Sequence, residues 1–210
     1  MNHLAHALLA NAGHHSLIGN LSGDFVKGPL DGLEIHARVR EGIRQHRRVD
    51  VFTDQHEVTA ELKKIFKPVN RRYAGILLDV VFDHYLIKHW SRFSEVMQRP
   101  FVNEVYATLT THEAILPGQL ADFVPRMIAA DWLYSCESLV GVDRVLQRIS
   151  NRLRYENPLG HAIDDINRHY EVFETGFLVF FPEAMASQGW GHQGRGQVSH
   201  CSIHPDTHSG

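Results

Sequence analysis

The chain has 210 residues, 43% of them hydrophobic and 21% charged, which suits one ordinary globular core. A net charge of -3 argues against general nucleic-acid binding, and no apolar run approaches the ~20 residues that span a bilayer. Two cysteines, Cys136 and Cys201, form neither a disulfide framework nor a zinc knuckle, which fits a reducing, cytoplasmic setting.

The chain reads as helices joined by short polar turns. Leu4, Ala5, Leu8 and Leu9 give an apolar stripe that Gly13 closes. Residues 19–28 read as a loop or a short glycine-bounded turn. Leu33 to Asp54 is predicted helical, with Ile35, Val39, Ile43 and Val49 on a buried face, and Val58 to Phe66 continues helically until Pro68. Tyr73 to Phe93 is predicted as a long central helix. Phe101 to Leu116, Leu120 to Ala130 and Leu139 to Leu153 follow, and Pro158 to Met185 reads as one last long helix. No segment series alternates with period two, so the expected fold is all-α, without a sheet. A glycine- and histidine-rich stretch from residue 187 has too little apolar surface to fold. The expected organisation is a helical domain over residues 1–186 and a disordered tail over 187–210.

Four clusters carry the candidate chemistry. His3 and His6 share one helical face; the alternative is a pair of buried histidines bonded to backbone. In Gly19-Asn20-Leu21-Ser22-Gly23-Asp24, glycines allow close backbone approach and Asp24 offers a hard oxygen, with Lys27 near enough to neutralise a phosphate. A plain capping turn is the other reading. His46, Asp50 and Asp54 recur every four residues and project along one face. Arg47 and Arg48 are offset from it, and their forks suit phosphate oxygens. The competing reading is a solvated charge ladder. Finally, Asp79, Asp83, His84 and His89 sit among Val80, Val81, Phe82, Leu86 and Trp90. A purely structural helix would bury those carboxylates at a cost.

Histidine and aspartate from several helices, without a thiolate, describe an oxygen/nitrogen metal site that manganese, magnesium or iron suits as well as zinc. Such a site activates water and stabilises a phosphoryl transition state. Asp-His combinations on helices are typical of HD-type phosphohydrolases, although Asp83-His84 runs in the reverse order.

In these motifs the chain resembles the acyl carrier protein phosphodiesterases, from Met1 to about Met185. The resemblance rests on Asn2-His3-Leu4-Ala5-His6, on Gly19 to Val26, on His46-Arg47-Arg48-Val49-Asp50 with Thr53-Asp54, on Asp79 to Trp90, and on His169-Tyr170 with Phe180-Phe181-Pro182. It implies a rearranged HD-like helical fold and a divalent metal, typically manganese. The implied reaction is hydrolysis of the phosphodiester joining 4'-phosphopantetheine to a serine of holo acyl carrier protein. Under that reading Asp24, Asp83, His84, His6 and His46 are the expected metal ligands. Asp50 is a further ligand or catalytic support, and Arg47, Arg48 and Lys27 stabilise phosphoryl charge. The expected partner is an acidic carrier protein, steered by a basic concentration that includes Arg38, Arg40, Arg44, Lys63, Lys64, Arg71 and Arg72. A phosphohydrolase acting on a nucleotide or other small phosphate ester, and a non-catalytic carrier-protein binder, are the alternatives.

Overall fold

The computed structural model describes residues 3–117 and 119–189. Among these residues the fold is all-helical. Ten α-helices, α1 (His3–Leu9), α2 (His14–Ser22), α3 (Ala37–Gln55), α4 (Glu57–Ile65), α5 (Ala74–Lys88), α6 (Gln98–Thr111), α7 (Gln119–Ala129), α8 (Leu139–Arg152), α9 (Ile163–Arg168) and α10 (Tyr170–Ser187), are joined by turns and short 3-10 segments. No described helix is long and apolar enough to cross a membrane. The tail expected from residue 187 begins inside α10 and, from residue 190, lies outside the described residues.

Helix α5 is the axis of the fold. Its apolar residues run around the whole circumference, so it needs cover on every side. α1, α4, α8 and α10 supply it. Phe173, Phe177, Phe180 and Phe181 of α10 fill the interface, with Phe82 stacked 5.2 Å from Phe180 and Phe66 4.8 Å from Phe173. Each buried phenyl ring contributes about 1.5–3 kcal/mol by burial.

Helices α2 and α3 cross almost in backbone contact. A Cβ on Gly19 would overlap the Val39 carbonyl and the Gly42 backbone. Both crossing positions must therefore be glycine, because any side chain wedges the helices apart. This close approach sets the spacing of Asn20 on α2 and His46 on α3.

Several boundaries differ from the expected ones: α3 begins at Ala37, α5 ends at Lys88 and α6 runs from Gln98 to Thr111, and three further differences have a clear local reason. Residues 19–22 complete α2, since their backbone is buried against α3 and must be paired. Helices α3 and α4 meet through the single residue His56, whose extended backbone ends one helix while its Nδ1 accepts the Val58 N–H of the next. The last long helix is broken at His169. Buried Asp165, on the α9 side of the break, accepts the Lys67 N–H at 3.0 Å and Asn70 Nδ2–H at 2.8 Å, tying α9 to the 67–70 loop.

Candidate metal centre

The site is assembled where α1, α2 and α3 meet. His6 comes from α1, and His46 and Asp50 lie one turn apart on α3. His6 and His46 are almost fully buried and their rings stack, with centroids 3.7 Å apart. Asp50 bridges them: Oδ1 is 3.1 Å from His6 Nε2, and Oδ2 is 3.0 Å from His46 Nε2. One ligand atom from each residue lies within 4.8 Å of the others. Among the described residues this is the one His/Asp/Glu/Cys group so arranged. Half-exposed Asp24, just past the end of α2, brings its carboxylate to 3.7 Å from both His46 Nε2 and His3 Nδ1.

The surrounding residues fix the ring orientations. His46 Nδ1–H donates to the Asn20 carbonyl at 2.7 Å, which leaves Nε2 facing the carboxylates. A backbone carbonyl behind an imidazole in this way is the usual support of a ligating histidine. Asn20 is held in turn. Its Nδ2 donates to the Ser16 carbonyl and to Gln45 Oε1, both at 3.0 Å, and Gln45 Nε2 donates to the Leu9 carbonyl at 2.7 Å. These buried bonds lock α1, α2 and α3 together beneath His46. Gly23 lies flat against the His46 ring, where any Cβ would overlap it.

Electrostatics follow from the packing. Burial alone would lower the His46 pKa, but the Asp24 carboxylate 3.7 Å away and the Asp50 carboxylate at 3.0 Å outweigh it and raise the value to about 9. His6, deeper in the fold, is pushed down to about 3 by burial despite Asp50. The nearby His46 ring holds Asp24 at about 2 against its partial burial. Burial works to raise Asp50, yet His46 and His6 keep it well below the usual carboxylate range. Without metal, the cluster is therefore an imidazolium clasped by two carboxylates beside a neutral imidazole.

A cavity of about 280 Å³ opens beside the cluster, lined by Asp24, Asp50, Thr53, Asp54, Lys63, Gly75, Leu78 and Asp79. Among the described residues, four carboxylates and one ammonium face this space. Burial raises the pKa of Asp79 against the opposing positive charge of the amino terminus, and Asp50 and Asp54 add to the rise. An anionic phosphodiester would be repelled from these walls unless a cation neutralised them. The same carboxylates are hard oxygen donors to a divalent ion. The donor set of two imidazoles and flanking carboxylates thus fits a divalent metal on its chemistry.

Of the expected site residues, the structure brings His6, His46, Asp50 and Asp24 together. His84 is placed elsewhere: Nδ1–H donates to the Cys136 carbonyl at 2.9 Å, and Nε2 lies 2.9 Å from the Tyr170 hydroxyl. Asp83 and His84, adjacent on α5 and pointing roughly 100° apart, meet different neighbours. Asp83 lies one turn beyond Asp79, nearly fully buried. Burial first, then the Asp79 charge, raises its pKa well above the usual range and favours its neutral form. The basic residues also divide. Arg47 Nη2 donates to the Val26 carbonyl at 2.8 Å and so braces the loop carrying Asp24. Arg48 pairs with Glu41 at 3.0 Å on the exposed face, and Lys27 is exposed outside the cavity wall.

Lys63, named from the sequence only within the basic concentration, is the charged cavity residue outside the four clusters. It projects from α4 and is held 3.0 Å from Asp54 Oδ1. The signal for it is the one-residue junction at His56, which folds α4 back beside the end of α3. Asp79, Thr53 and Asp54 also line the cavity from within the motifs already noted.

The model of the acyl carrier protein phosphodiesterase family matches residues 1–184. An acyl carrier protein phosphodiesterase of Photorhabdus laumondii is 33% identical over 186 residues, covering 88% of this chain and 93% of that protein. The namesake from Yersinia enterocolitica is 35% identical over 189 residues, 90% and 97% of the two chains. That from Salmonella paratyphi A is 36% identical over 194 residues, 89% and 96%. No solved structure matches the chain. The match over nearly the whole described fold, including every residue of the His6–His46–Asp50 cluster, places the chain in the acyl carrier protein phosphodiesterase family.

Proposed function

We propose that the chain hydrolyses the phosphodiester between 4'-phosphopantetheine and the serine of holo acyl carrier protein, releasing the apo protein and 4'-phosphopantetheine. The observation that carries the proposal is the cluster of His6, His46 and Asp50, with Asp24 beside it, at the wall of an acidic cavity. Family membership supplies the substrate class.

His6 Nε2, His46 Nε2 and an Asp50 oxygen would hold a divalent cation, with Asp24 as a further oxygen donor; manganese is the proposed ion. Bound there, it supplies Lewis-acid stabilisation of a phosphoryl oxygen and lowers the pKa of water. The remaining work falls to the chain itself. The Asn20 carbonyl holds His46 in the tautomer that points Nε2 into the site. Arg47 keeps the Asp24 loop closed over α3 through the Val26 carbonyl. Lys63 turns from Asp54 to a non-bridging phosphoryl oxygen, where a fixed positive charge stabilises the charge that develops in the transition state. Asp79, raised in pKa by burial, is the cavity carboxyl suited to deliver a proton to the departing serine oxygen.

The test is incubation with holo acyl carrier protein and manganese, followed by intact-protein mass measurement. The expected result is a mass loss equal to the phosphopantetheine group, abolished in Asp50→Asn. An unchanged carrier across manganese, magnesium and iron overturns the proposal. Turnover of a small phosphodiester with the carrier left intact would point instead to a small-molecule phosphohydrolase.

A further inference from the structure

A second group of imidazoles lies outside the cavity. His14 and His15 open α2, His36 caps the start of α3, and His112 follows the last turn of α6. Three separate stretches of chain thus bring four imidazoles to one place. The rings form a continuous string. His112 stacks on His14 with centroids 4.0 Å apart, His14 neighbours His15 at 4.1 Å, and His15 stacks on His36 at 3.9 Å. Gly13 turns the chain into this position with a φ of 102°, a backbone conformation that other residues rarely adopt.

The chemistry of the string is all nitrogen. Among the described residues, His36 Nδ1 accepts the Arg38 N–H at 3.1 Å, while no hydrogen bond engages the rings of His14, His15 or His112. Partial burial lowers the pKa of His14 and His15. His112, His36 and Arg38 add to the fall for both, and so does His14 for His15; no carboxylate opposes it. The fall favours the neutral form of His14 and His15 near pH 7, with lone pairs available. Imidazoles without carboxylates suit zinc, copper or nickel and do not suit magnesium, manganese or calcium.

We propose that His14, His15, His36 and His112 form a second cation site, of the zinc class, distinct from the catalytic cluster. Stacked rings present faces, so binding turns three or four of them about their side-chain bonds until ring nitrogens converge. His36 keeps its capping bond through Nδ1 and offers Nε2. Arg38 opposes the cation and limits its affinity. The bound ion ties the start of α2, the entry to α3 and the end of α6 into one clamp. Helices α2 and α3 also carry Asn20, Gln45 and His46, so the clamp braces the scaffold of the catalytic site without touching it.

The test uses the full chain and zinc chloride alone. In the wild type, long-range nitrogen–proton spectra of the imidazoles should show the nitrogens of His14, His15, His36 and His112 shifting together on zinc addition. The double variant His14→Gln/His112→Gln should bind about one equivalent of zinc fewer than the wild type, because the catalytic cluster and the residues beyond 189 are identical in both chains. Unmoved resonances of the four rings in the wild type, or equal zinc stoichiometry and affinity in the folded variant, would overturn the proposal.

Discussion

Proton release on metal binding is the sharpest consequence of the geometry at His46. Its ring is 2% exposed, and the neighbouring Asp24 and Asp50 carboxylates raise its pKa to about 9. A cation at Nε2 must displace the proton that sits between the ring and Asp50, 3.0 Å away. At pH 7 that displacement spans about two pH units, which at ~1.36 kcal/mol per unit costs about 2.7 kcal/mol, or roughly 100-fold in affinity. His6, held at about 3, is neutral throughout and contributes nothing to this competition. Titration calorimetry of manganese into the metal-free protein at pH 7, repeated in buffers of different ionisation enthalpy, should therefore show about one proton released per ion. Affinity should rise about tenfold per pH unit above neutrality and level off near pH 9. The sign for stability is opposite. The raised His46 pKa stabilises the metal-free fold fully below its unfolded value of 6.5, and that contribution, at most about 3 kcal/mol, is lost as pH rises through about 9. Metal binding that releases no proton at pH 7, with affinity flat from pH 6.5 to 8.5, would show that no proton on His46 competes with the ion.

Three substitutions probe the surroundings of the cluster. Gly23→Ala puts a methyl group against the His46 ring and should weaken metal affinity about 10- to 100-fold, measured by chelator competition, while helical content is kept. Lys63→Gln removes the cavity's ammonium and should lower kcat on holo acyl carrier protein about 10- to 100-fold with metal affinity little changed; Lys63→Arg should restore part of it. Gln45→Ala leaves the Leu9 carbonyl and Asn20 Nδ2 short of a buried partner, and should cost about 1–3 kcal/mol in urea denaturation.

The helical class was legible because the apolar residues recur with helical period in long segments, and because Gly13, Pro68 and Pro158 punctuate them. The spacing of His46 and Asp50 placed both on one face of α3, which local periodicity alone can establish. What local pattern cannot supply is the third dimension. Asp83 and His84 look alike beside Asp79, yet helical geometry sends them to different neighbours, and only the packing of α10 and of the turn before α8 shows that His84 meets Tyr170 and Cys136. The arginines followed the same rule. Arg47 and Arg48 are adjacent in sequence, but one braces the Val26 carbonyl and the other pairs with Glu41. Lys63 was hidden among other basic residues, since its place in the cavity depends on the reversal at His56. The stacked string of His14, His15, His36 and His112 joins positions almost a hundred residues apart, a proximity that no local motif encodes.

The most direct test of the account is a crystal of the protein grown with manganese, measured near the manganese absorption edge. The account predicts one anomalous peak within coordinating distance of His6 Nε2, His46 Nε2 and Asp50, with Asp24 turned toward it and Lys63 across the cavity. A peak bound instead by Asp83 and His84, or no peak near α3 in a crystal of enzyme that turns over holo acyl carrier protein, would contradict it.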